Sequence, residues 1–240
     1  MAGEIERLIG MLDDDSTNVA EEAKAELMSM GADVVGPLAA AVFSLQRYGQ
    51  LSAIEILEHL GGSAAGQSLT DLLGSDHETV REWSAYAVAT LGVRDAVPAL
   101  QAAYRRQRAS GYPPDFSEAV GIRYALTALG ARSPVIPPLT ASWMAPAPGL
   151  EQAWPVSRLE DVVNELAEHR QVVLYLQLWE INNRGVYWHD HDRLDAQFDW
   201  DAPWARLVEQ AREAALLEVA FVPQRDAIRA TVEWIDEADR

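Results

Sequence analysis

Apolar residues in the first part of this chain recur with a helical period. In the stretch from Val80 to Leu91 the apolar or small positions Val80, Trp83, Ser84, Ala87, Val88 and Leu91 fall at the i, i+3, i+4, i+7 spacing of one helix face. The same stripe precedes two other glycines. It reads Ser52, Ala53, Ile56, Leu57 and Leu60 before Gly61, and Gly121, Ile122, Ala125, Leu126 and Leu129 before Gly130. A weaker copy, Val19, Ala23, Leu27 and Met30, ends at Gly31 and is interrupted by Glu22 and Glu26. Each stripe has a partner upstream: Ile5, Leu8, Ile9 and Leu12; Val34, Val35, Leu38, Val42 and Leu45; Leu69, Leu72 and Leu73; Val97, Leu100 and Tyr104. The pattern therefore predicts pairs of amphipathic helices.

The punctuation is periodic as well. Gly31, Gly61, Gly92 and Gly130 each follow an apolar residue, at spacings of 30, 31 and 38. Glycine just past a helix accepts positive φ without a Cβ clash and stops the helix there. Pro37, Pro98 and Pro137 follow six or seven residues after a stop, where the first turn of the next helix does not need an N–H. Acidic turns, Asp13 to Asp15 and Asp76 to Glu78, precede second helices and favour their positive ends. A self-similar period of about 30 residues or more signals stacked units, none of which can bury its apolar flank alone. The polar first copy suits a terminal cap.

The residues Val80-Arg81, Ala85, Ala87 and Leu91-Gly92, followed by Asp95-Ala96-Val97-Pro98-Ala99-Leu100, resemble the HEAT-repeat family. They are most similar to the short bacterial HEAT-like repeats also found in phycobilisome lyases. The resemblance spans about residues 3–142 and implies a short α-α superhelical solenoid. It also implies that the second helices face the concave side. Partner-binding positions would then be Glu55, Glu58, His59, Arg81, Tyr86, Arg123 and Tyr124, with the two tyrosines in register beside the two arginines. Tyr and Arg are favoured interface anchors because each buries a large area and keeps a polar handle. The fourth repeat departs from the family through an insertion over 106–116, where Pro113-Pro114 forces a loop.

After Met144 the pattern changes. Residues 144–154 read as a Pro-rich linker between a repeat domain, 1–143, and a small α+β domain, 155–240. Ser157 and Glu160 have capping-box spacing ahead of a helix to about Glu168. Residues 171–181 are rich in β-branched and aromatic side chains, turn at Asn182 to Gly185, and return at Val186 to His189, predicting a β-hairpin. Its register would set Ile181 opposite Val186, Glu180 opposite Tyr187 and Trp179 opposite Trp188. Asp201 is placed to cap a helix over 203–216, Leu217 to Val222 reads as a third strand or as more helix, and 224–237 as a last helix carrying Ile228, Val232 and Ile235.

Composition narrows the function. With 49% hydrophobic and 23% charged residues in 240, the chain reads as globular rather than disordered. No continuous apolar run of about 18 residues is present, so no membrane span is expected. The N-terminus lacks the basic start of a secretory signal. Zero cysteines remove thiolate and disulfide chemistry, and the expected location is cytoplasmic. The formal net charge is −18, with 18 acidic and 10 basic residues in 1–150 and 19 and 9 after that. Such a chain repels phosphate backbones, and its tightest basic cluster, Arg105, Arg106 and Arg108, suits the C-terminal turn of a helix. A basic protein partner fits the charge; the oligomeric state stays open.

Two function classes follow. The first is a non-enzymatic protein-protein interaction module (a scaffold, adaptor or inhibitor) that grips a basic partner on the concave helical face and needs no cofactor. The second is an enzyme. His189 and His191 in the run His-Asp-His-Asp, with Glu180 across the hairpin as third ligand, have the donor types of a zinc, manganese or iron site. The family resemblance also admits a lyase, or a DNA glycosylase using Trp83, Trp143 and Asp115, although the basic field for DNA is missing.

Overall fold

The computed structural model describes residues 2–150, 152–188 and 198–240; His189 and His191 lie outside them. The protein is mainly helical, with one four-stranded antiparallel sheet. It divides into two compact units, residues 1–133 and 134–240.

The first unit is a stack of four helix pairs. The first helices are α1 (Ala2–Met11), α3 (Val35–Ala41), α5 (Ser63–Leu72) and α7 (Val97–Ala109). The second helices are α2 (Thr17–Met30), α4 (Arg47–Leu60), α6 (Glu78–Thr90) and α8 (Ser117–Ala128). Each second helix touches the next, α2 to α4, α4 to α6 and α6 to α8, while α1 meets α3 and α3 meets α5. Two layers result, with one continuous apolar core between them. Leu27, Leu38, Ile56, Leu57, Leu69, Val88, Leu100 and Ile122 are fully buried there. Every stop glycine named above has positive φ: Gly31 71°, Gly61 69°, Gly92 64° and Gly130 73°. A Cβ at those angles is strained, and that is why glycine stands at the end of each unit.

Among the described residues one stretch, Thr17–Ser44, is long and apolar enough to cross a membrane by length and composition alone. The positive φ of Gly31 interrupts it, leaving α2 with 14 residues and α3 with 7. Neither approaches the roughly 20 residues a bilayer core requires.

Neighbouring repeats are also latched by polar groups. Asp13, just past α1, reaches the start of α4, where its carboxylate accepts hydrogen bonds from Gln46 N at 2.8 Å and Gly49 N at 3.1 Å. It serves as a remote N-cap, satisfying orphan amides and facing the positive end of the helix. Gly49 makes room, because a Cβ there would collide with Asp13 Oδ1. Asp13→Ala is expected to lower unfolding free energy by about 1–2 kcal/mol, as cap removal does elsewhere; urea denaturation of the variant measures it.

The second unit begins ten residues before the predicted domain boundary, and the segment read as a linker lies inside it. The short α9 (Pro138–Ser142) is held by α10 (Leu159–Glu168): buried Glu165 accepts hydrogen bonds from the amides of Leu139 and Thr140 and from the Thr140 hydroxyl. Trp154 Nε1 donates to Thr140 O at 2.7 Å, and Gln171 and Trp234 both donate to Val135 O. The strands are β1 (Trp154–Pro155), β2 (Val172–Asn182), β3 (Gly185–Trp188) and β4 (Ile228–Ile235), in sheet order β1-β4-β2-β3. The hairpin register matches the expectation: Trp179 pairs with Trp188, Glu180 with Tyr187 and Ile181 with Val186.

The end of the chain differs from its sequence reading. α11 (Trp204–Phe221) runs through Leu217 to Phe221, so no strand forms there, and 228–235 is the central strand β4 rather than a helix. Ile228, Ala230, Val232 and Trp234 alternate inward and Ile235 packs in the cluster on the other face; the spacing of 4 from Ile228 to Val232 suits helix and strand alike, and the spacing of 7 to Ile235 suits the helix. Neither predicted side-chain cap forms. Ser157 lies in a 3-10 turn before α10, and Pro203 rather than Asp201 stands at the N-cap of α11. In the fourth repeat α7 continues to Ala109, so the irregular part of the insertion is 110–116.

Candidate interaction face

The outward side of the second-helix layer carries exposed aromatic side chains. On α6 the core side is Val80, Ser84, Ala87 and Val88, which leaves Glu82, Trp83 and Tyr86 on the other side. Trp83 is 48% exposed, so the stripe that included it is narrower than the sequence suggested. The Trp83 and Tyr86 rings meet edge to face at 6.3 Å, and Tyr86 meets Tyr124 of α8 at 5.3 Å. Tyr124 is 53% exposed. The predicted tyrosine register is thus a physical contact, and Trp83 extends it into a row of three rings.

Gly121 is the reason the two helices come this close. A Cβ on it would lie 3.2 Å from Glu82 O, 3.3 Å from Glu82 Cγ and 3.3 Å from Tyr86 Cε2. Glu82 and Tyr86 therefore share one side of the glycine, and the carboxyl stem runs beside the ring. Burial pushes the Glu82 carboxyl above the ordinary carboxylate range; Glu118 and Glu78 push the same way, and a hydrogen bond with Ser117 opposes them. The sign of the stability effect follows. Between the ordinary and the raised value the folded chain binds more protons than the unfolded one, so Glu82 costs stability as pH rises through that window. Glu82→Gln is therefore expected to raise the melting temperature at neutral pH, and the gain is expected to vanish below about pH 4. Thermal melts across pH check it.

The predicted arginines do different work. Arg123 is 1% exposed and cannot meet a partner: its Nη1 donates to Pro114 O at 2.7 Å and holds the insertion against α8. Arg81 forms a fork to Glu118, Nε and Nη2 each at 2.6 Å from a carboxylate oxygen, and donates to Ser75 O at 2.7 Å. Arg81 thus ties the third repeat to the fourth, whereas Arg123 fastens the fourth repeat's own loop. The spacing that put them beside the tyrosines does not encode depth. On α4, Glu55 is exposed and accepts from Lys24 Nζ at 2.7 Å. His59 is exposed and Glu58 half-buried, a repeat away from the rings. Sequence reasoning missed Glu82 and treated Trp83 as core. The signal for both was their position opposite the small residues of the α6 core stripe.

No group of three His, Asp or Glu side chains able to hold a metal occurs among the described residues. Glu180 is half-buried on β2, and the two histidines proposed beside it lie outside the described residues. In the second unit an open groove of about 470 Å³ lies between the start of α10 and the end of α11. Glu160 is its one carboxylate, among Val156, Leu216, Val219 and Val222, so the groove offers no acid–base pair.

Helix pairs stacked in two layers around a shared core define an α-solenoid. Residues 80–106, which cover most of α6 and of α7, match the family described as PBS lyase HEAT-like repeat. The match supports reading the stacked helix pairs around it as HEAT-like repeats. No curated protein matches it.

Proposed function

We propose that this chain is a non-enzymatic protein-binding module and that its partner docks on the second-helix face around Trp83, Tyr86 and Tyr124. The observation that carries the reading is the row of three touching rings, two of them half-exposed, on the outward side of a solenoid layer. Rings in that situation gain by desolvation against a partner, and aromatic anchors dominate interface energetics. HEAT-like repeats generally mediate protein interactions, which points the same way. The partner's character follows from charge. The chain carries −18 overall, and three cations of this layer are engaged internally, Lys24 with Glu21 and Glu55, Arg81 with Glu118 and Arg123 with a backbone carbonyl, while Arg47 at the start of α4 is exposed beside Tyr48. A basic protein would be steered toward such a surface and an acidic one turned away.

The test is affinity purification from the source cells with the wild-type chain and with Trp83→Ala/Tyr124→Ala. One stoichiometric basic protein is expected to be retained by the first and lost by the second, while both melt at similar temperatures. A partner that both chains retain equally contradicts this docking site.

A further inference from the structure

The surface around Gly121 holds more than rings. Glu82 and Tyr86 flank the glycine, Tyr86 touches Trp83 on one side and Tyr124 on the other, and α8 supplies no cation on this side, since its Arg123 is buried. A half-buried carboxyl beside a row of rings, the two outer ones half-exposed, is an arrangement with one complementary side chain. We propose that Glu82, Trp83, Tyr86 and Tyr124 form a seat for an arginine side chain of the protein partner, the guanidinium stacking on the rings and its charge answered by the carboxyl.

The argument is one of matching chemistry, and it rests on the reading that this face binds protein. A guanidinium is planar, weakly hydrated and forked. It stacks on aromatic faces while still donating hydrogen bonds at its edge. An ammonium is a compact, strongly hydrated point charge and loses more water on entering the same place. The chain already uses the contact elsewhere: Arg47 Cζ lies 4.6 Å from the Tyr48 ring centre and Arg158 Cζ 5.8 Å from that of Trp143. An uncharged apolar side chain would leave Glu82 desolvated with no compensation, and an anion would meet Glu82, Glu78 and Glu118 together. Arg81 does not reverse this, because both of its edges toward α8 are taken by Glu118.

Protonation gives the seat a signature. The charges acting on Glu82 are Glu78 on its own helix and Glu118, paired to Arg81, on α8, with Ser117 as hydrogen-bond partner. In the free chain Glu82 holds its proton more readily than an ordinary carboxyl. An arriving guanidinium favours the ionised form, so binding releases a proton and tightens as pH rises through the Glu82 titration.

The experiment is isothermal titration of the full chain at physiological ionic strength with two glycine-spaced peptides of equal charge, one built on arginine and one on lysine. The arginine peptide is expected to bind several-fold tighter than the lysine peptide. Tyr124→Leu and Trp83→Leu are each expected to weaken it by about threefold to thirtyfold, and Glu82→Gln to weaken it and remove the rise with pH. Glu209→Gln/Glu213→Gln on α11 controls for bulk charge and is expected to leave binding unchanged; melts establish that each variant is folded. Equal affinity for the two peptides, no binding of either, or indifference to the ring substitutions overturns the arginine seat. If those results appear while Trp83→Ala/Tyr124→Ala still loses the cellular partner, the seat is wrong and the docking face stands.

Discussion

Trp154→Ala is expected to lower the unfolding free energy of the second unit by about 3–5 kcal/mol, the range for deleting a fully buried large aromatic. Trp154 is 0% exposed, meets Trp234 edge to face at 6.1 Å and donates from Nε1 to Thr140 O. Its removal opens a cavity in the apolar cluster it shares with Ala230, its strand partner, and Trp234. It also removes one of the bonds that hold α9, because the Thr140 carbonyl loses its partner while Glu165 keeps its own. Trp154→Phe keeps most of the volume and loses the hydrogen bond, so about a third to a half of that effect is expected. Urea denaturation followed by far-UV circular dichroism measures both. A loss under about 1 kcal/mol for the alanine variant would mean that the 134–143 segment is not clasped as described.

Arg81→Met is expected to cost the first unit about 2–4 kcal/mol, although the arginine side chain is one-fifth exposed. The reason lies with Glu118, whose side chain is 7% exposed and whose two oxygens both accept from Arg81. Removing the cation leaves a nearly buried carboxylate uncompensated, which is the costly way to break an ion pair. Removing both charges together is far cheaper, since two desolvation penalties disappear with the attraction. Arg81→Met/Glu118→Leu is therefore expected to recover most of the loss, and a thermodynamic cycle of the four chains isolates the coupling. Additive losses from the two single substitutions would show that the fork does not join repeats three and four.

The helical half was legible because its signals are redundant. Helix period, stop glycines and following prolines all mark the same boundaries, and the structure puts positive φ at each of those glycines. The hairpin was legible for a similar reason: Asn182 to Gly185 fixes the turn, and the turn fixes the register at Trp179, Glu180 and Ile181. The final strand was not. Ile228, Val232 and Ile235 follow the helical spacing, and the residues that complete the inward strand alternation, Ala230 and Trp234, are not β-branched. The early start of the second unit was hidden because the contacts of Val135 and Thr140 lie with Gln171, Trp234 and Glu165, far along the chain. At the candidate site, spacing set Tyr86 and Tyr124 in register, and the two rings do meet. It could not separate Arg123, buried under the insertion loop, from Tyr124, its half-exposed neighbour, because depth depends on a loop whose course spacing does not encode.

Amide hydrogen exchange on the chain with and without its co-purified partner tests the docking face most directly. Slower exchange on binding is expected in Glu78–Thr90 and Ser117–Ala128, with α1, α3 and α5 unchanged. Protection confined to the first helices, or to residues 134–240 alone, would contradict it.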